Sequence, residues 1–115
     1  MIEVRRPSDG ELCGFVSATG ERWAALTVFG GLLAEHDSTG EATRCVLDEG
    51  LASLAERWMY RPDPSAEWQV VCIQEASPTS VRLALDYYSM PGVPTLTLSR
   101  DDLAAGAQLS LRPAD

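Results

Sequence analysis

The sequence predicts an α+β fold in two layers, with one main amphipathic helix packed on a mainly antiparallel, curved sheet and elements in the order βββ-α-βββ(β). Three observations predict it. Short runs of alternating apolar and polar residues, punctuated by Gly, Pro and Ser, fill both ends of the chain. Between them lies one helical pattern, with Leu47, Leu51, Leu54 and Trp58 at spacings of four, three and four. The connections between runs are short, which favours antiparallel neighbours, and a helix with one apolar stripe needs a sheet face to cover.

The first meander occupies the residues before Ser38. Residues 1–10 read as a mobile segment or a short edge strand, Ile2 and Val4 sharing a face before Pro7-Ser8-Asp9-Gly10 breaks the run. Leu12 to Ser17 is a strand that turns at Ala18-Thr19-Gly20. Trp23 to Phe29 is apolar on both faces, as a central strand is. Gly30-Gly31 marks a tight hairpin turn, and Leu32 to His36 returns as the third strand.

A helix is predicted over about residues 39–60. Ser38 caps its first turn, and Glu41 three residues later reaches back to complete a capping box. Arg57 and Arg61 suit the negative end of the helix dipole, and Pro62 stops continuation. Gly50 costs about 1 kcal/mol relative to Ala inside a helix. Two forms follow, a continuous helix and one broken at Gly50. Cys45 separates them: it points away from the Leu stripe on a continuous helix and is free to turn into the core on a broken one.

Beyond the Pro62-Asp63-Pro64-Ser65 loop, Trp68 to Glu75 is a strand, with Val71 and Ile73 on one face and Val70 and Cys72 on the other. After a turn at Ser77-Pro78-Thr79, Val81, Leu83, Leu85 and Tyr87 alternate with Arg82, Ala84, Asp86 and Tyr88. Residues 89–94 form a Pro-rich loop and Thr95 to Ser99 a strand. Asp101 to Gly106 is a single helical turn at most, and Leu109 to Leu111 a final edge strand. The halves share a Trp-led strand that turns back on itself, but the likeness stops short of a repeat. The whole chain, 1–115, reads as one domain.

Nine basic against 17 acidic side chains give a formal net charge of −8, which excludes nucleic acid as a natural partner because phosphate binding needs clustered cations. Every basic residue is arginine, and neither lysine nor asparagine occurs, which points to GC-rich coding and a bacterial source. Cys13, Cys45 and Cys72 form no C-x-x-C pair, so zinc-ribbon and thioredoxin-like sites are excluded. The N-terminal residues lack the apolar core of a signal peptide, and no apolar run has membrane-spanning length. A cytoplasmic setting with reduced thiols is expected, with no membrane association.

His36 is the single histidine, flanked by Glu35 and Asp37. A strand places those two carboxylates on one face and the imidazole on the other, so the three cannot converge on one ion. Cys13 and Cys72 read as packed strand residues, and no G-x-S-x-G or phosphate-cradling loop occurs. Glu75 and Asp86 are the nearest candidates for paired carboxylates. No metal or cofactor is expected. Trp23 and Trp58 read as core, whereas Trp68, Tyr88, Met90 and Pro91 are expected to form an apolar interaction patch at one end of the sheet.

Three functional readings follow. The first is a non-catalytic protein-interaction or accessory domain that self-associates, its partner a second copy or another protein. The alternative is a binder of a small apolar or aromatic ligand between helix and sheet. The third is a small enzyme using His36 or dispersed carboxylates.

Overall fold

A computed structural model describes residues 1–85 and 92–111. Among these residues nine strands form one open, mostly antiparallel sheet, with one main helix and a short second one. The α+β class and the helix-on-sheet arrangement are as the sequence predicts.

The first meander comprises β1 (Ile2–Arg5), β2 (Leu12–Thr19), β3 (Arg22–Leu26) and β4 (Leu32–His36), each antiparallel to the one before. The N-terminal residues thus form an edge strand. The β3–β4 turn is closed by Thr27, whose backbone N–H donates to the Gly31 carbonyl at 2.9 Å while its hydroxyl accepts from the Gly31 N–H at 3.1 Å. Helix α1 (Thr39–Glu49) follows, its N-cap Ser38 accepting a hydrogen bond from the Glu41 backbone N–H at 3.2 Å.

The helix does not reach Tyr60. It ends at Glu49, a 3-10 turn follows at Ala52–Ala55, and Arg57–Arg61 form strand β5. The broken form is the one adopted, and Cys45 is buried as that form allows. Glycine at the break has a spatial role. A Cβ at Gly50 would lie 2.5 Å from the carbonyl oxygen of Cys13, so the helix end rides directly on the backbone of β2. The buried face of α1 is Ala42, Cys45 and Val46, while Leu47, the first residue of the expected stripe, is 37% exposed. Trp58 is core, but from a strand.

The second meander is β5, β6 (Gln69–Ala76), β7 (Ser80–Ala84) and β8 (Thr95–Ser99), again antiparallel throughout. Helix α2 (Arg100–Ala104) follows β8, and here the closed capping box forms, between Ser99 and Asp102. The last strand, β9 (Gln108–Ser110), is not at an edge. It lies in the middle of the sheet, antiparallel to β5 and bridged in parallel to β4 through Leu32 and Ser110. Both β4 and β5 would otherwise present unpaired backbone groups, and β9 satisfies both. The order is β1-β2-β3-β4-β9-β5-β6-β7-β8.

One hydrophobic cluster runs through both meanders. Trp58 is fully buried, donates its indole N–H to the Ser53 carbonyl at 2.8 Å, and meets Phe29 edge-on at 5.3 Å between ring centroids. Trp58 faces Val71 across β5–β6, and Val81 faces Leu98 across β7–β8.

Candidate functional site at the seam of the meanders

Where β9 joins the two meanders, the packing leaves a half-open cleft of about 400 Å³. Its floor is β9, with Gln108, Leu109 and Ser110. The first meander contributes Gly30 and Leu32, and the segment around α2 contributes Leu103 and Ala107. Trp68, just before β6, forms the remaining wall. The cleft lies where the two meanders of the one sheet are joined by the three-residue strand β9.

Trp68 is held in place. The guanidinium of Arg61 lies 4.2 Å from its ring centroid, and Arg61 Nε donates to Gln108 Oε1 at 2.6 Å. A cation stacked on indole contributes about 0.5–1 kcal/mol at such a half-exposed position. More important is order: the strand pair Arg61–Gln108 fixes the cation, and the cation fixes the ring. Arg100, at the start of α2, reaches across to the first meander and stacks 5.0 Å from the Phe15 centroid. The cleft is thereby framed by two arginine–aromatic stacks.

The lining is mainly apolar, with Gln108 and Ser110 as its polar side chains. Among the described residues, no side chain that lines it can act as a general acid or base near neutral pH. Nearby, burial pushes the Tyr60 phenol above its ordinary range, and the carboxylates of Asp102 and Asp63 add to the shift. Tyr60 therefore stays a neutral hydroxyl. The arrangement can bind an apolar group and orient it with one or two hydrogen bonds.

Of the interaction residues expected from sequence, Trp68 lines this cleft, whereas Tyr88, Met90 and Pro91 lie outside the described residues. Leu85, which precedes that segment, accepts a hydrogen bond from Gln69 Nε2, beside Trp68. Gly30, Leu32, Leu103 and Ala107 carried no signal in the sequence, because nothing local marks residues that meet only through β9. Between main helix and sheet the centre is packed, and a groove of about 330 Å³ opens at the margin, between Ala34 and His36 of β4 and Glu41, Arg44 and Cys45 of α1. Ala42 and Val46 pack fully buried over Val16 and Ala25, and a Cβ on Gly14 would come within 2.9 Å of Val46. The centre of that layer is closed.

The other candidates separate. His36 lies at the end of β4 opposite Trp23, in a shallow groove with Glu41, Arg44 and Asp48, and its buried Nε2 has no hydrogen-bond partner among the described residues. Its neighbours turn elsewhere: Glu35 accepts from the Thr19 hydroxyl at 2.8 Å, and Asp37 pairs with Arg22 at 3.4 Å. Among the described residues no group of His, Cys, Asp and Glu is arranged to hold a metal ion. Glu75 is paired with Arg82 at 2.8 Å, and Asp86 lies outside the described residues. Cys13 and Cys45 are buried and Cys72 is half-buried. No helix among the described residues is long and apolar enough to cross a membrane.

Compared with known proteins, the chain matches no family model, no curated protein and no solved structure.

Proposed function

We propose that the chain is a non-catalytic protein-interaction domain that self-associates and acts as an accessory to another protein, with the seam cleft receiving an apolar side chain of that partner. The observation that supports this reading is the Arg61–Trp68–Gln108 stack beside an apolar cleft. Trp and Arg are the residue types that dominate binding energy at interfaces, and a ring already fixed loses little entropy when a partner docks.

A selection of displayed random peptides against the wild-type protein, repeated against Trp68→Ala, tests the reading. Peptides anchored by an apolar or aromatic residue are expected, with affinity falling about tenfold or more in the variant, a loss of at least about 1.4 kcal/mol. The melting temperature should stay nearly unchanged, because Trp68 is only half-buried. Peptides that bind both proteins equally would remove the cleft from the interface.

The cleft volume of about 400 Å³ also falls in the range of small-molecule pockets, which favours the apolar-ligand reading as the second choice. Small aromatic compounds that bind in the absence of any peptide binding would select it.

A further inference from the structure

The two outer strands of the sheet are built differently. β1 carries Glu3 and Arg5, has a bulge between Val4 and Arg5, and runs into Pro7. Charges, bulges and proline are the devices that keep an edge strand from pairing with another chain. β8, Thr95-Leu96-Thr97-Leu98-Ser99, has no charged residue and an unbroken register with β7, and the proline before it, Pro94, turns its carbonyl to β7 and leaves the outer edge unblocked.

Its free hydrogen-bonding groups can be assigned. Arg100 N–H donates to the Thr79 carbonyl, and Leu85 N–H donates to the Pro94 carbonyl. Positions 94, 96, 98 and 100 therefore bond towards β7, and the alternate positions Thr95, Thr97 and Ser99 point outward. Ser99 is already committed, since its N–H donates to Asp102 Oδ2 at 2.8 Å in the α2 cap. Thr95 and Thr97, both exposed, remain with an N–H and a carbonyl each, and β8 ends the sheet among the described residues.

We infer that β8 is the self-association surface, pairing antiparallel with β8 of a second copy about a two-fold axis at Leu96. The inference rests on the self-association named above and gives it a surface and a register. This centring uses every free group of the strand: Thr95 of each copy exchanges both backbone hydrogen bonds with Thr97 of the other. Centring on Thr97 instead would set Thr95 against the occupied Ser99. At the chosen register Leu96 meets Leu96 of the second copy, and Leu98 lies opposite its Pro94, so one face of the junction is apolar. The charge nearest the strand on the other face, Arg82 opposite Thr97, is already neutralised by Glu75 at 2.8 Å. Two chains of net charge −8 can thus meet along an uncharged line. The two sheets become one, and both Trp68 clefts stay open to another partner.

Light scattering on a sizing column across a wide concentration range, with Thr97→Pro, Thr97→Glu and Trp68→Ala beside the wild type, tests this. Thr97→Pro removes an outward N–H without touching the β7 ladder, and Thr97→Glu puts a carboxylate on the outer edge while leaving every backbone group in place should the proline variant fail to fold. A wild-type dimer is expected, weakened about tenfold or more by either Thr97 variant and unchanged by Trp68→Ala. Amide exchange should show Thr95 and Thr97 protected in the dimer and fast in Thr97→Glu. A dimer that survives Thr97→Glu with fast Thr95 and Thr97 amides overturns the β8 assignment and leaves self-association standing. A wild-type monomer at all concentrations overturns both.

Discussion

The two meanders solve the same burial problem in opposite ways. In the first, the sheet residues under the helix are small, Gly14, Val16 and Ala25, and α1 approaches until Ala42 and Val46 are fully buried. In the second, the following helix is five residues long, and the strands fill space with their own bulk, Trp58, Tyr60, Leu83 and Leu98. A helix drawn onto small residues closes the centre of its layer. The second meander buries bulky side chains without a long helix over them, and the seam cleft lies at its junction with the first meander.

Removing the bulk of the second meander should cost most. Trp58→Ala deletes a fully buried indole, its hydrogen bond to Ser53 and its contact with Phe29, and should lose about 3–5 kcal/mol in denaturant unfolding. A loss below about 1 kcal/mol would mean that the second meander is not held by its large side chains.

Adding bulk to the first meander is the reciprocal change. Gly14→Ala, at a φ of +156°, places a methyl against the Leu26 backbone carbonyl and within 2.9 Å of Val46 Cγ1, so the β2–β3 ladder must give as well as α1. A loss of about 1–3 kcal/mol is expected from the same unfolding measurement. A neutral result would show that both the β2–β3 ladder and the helix can shift to admit the methyl.

The smallest effect concerns the edges. The turn between β1 and β2 is pinned by Arg6, which bonds Asp9 at 2.7 Å and 3.0 Å, while β8 has no comparable clamp among the described residues. The hydrogen bond from Arg6 holds the Asp9 carboxyl at about 2, below its ordinary 3.8. A carboxyl lowered on folding stabilises above its unfolded value, so this contribution is complete above about pH 4 and disappears as pH falls through about 2. The pair is solvent-exposed, so the effect is slight. Unfolding midpoints measured from pH 5 to pH 2 should fall less steeply in Asp9→Asn, and identical profiles would show that the clamp is idle.

Much of the fold is legible from local pattern. β4 and β8 fall on the residues that alternation marks, and α1 begins at Thr39 behind the Ser38 cap. Each rests on contacts within a few residues. The run Leu47, Leu51, Leu54, Trp58 misleads because its spacing fits a helix by chance: Leu47 is exposed on α1, Leu51 and Leu54 fall in the connection beyond it, and Trp58 belongs to β5. Of the site, Trp68 is legible as an aromatic outside the strongest apolar runs. Its framing by Arg61, Gln108 and Leu103 is not, since Arg61 and Gln108 lie 47 positions apart.

By itself, the sequence determined the α+β class, the first meander, the start of the helix and the separation of His36 from its flanking carboxylates, because alternation and capping are local. The end of α1, the strand identity of Trp58, the central place of β9 and the cleft were decided only in three dimensions. Gly50 must clear the backbone of Cys13, and the open edges of β4 and β5 must share one strand. Both demands come from groups far apart in the chain, about which periodicity carries no information.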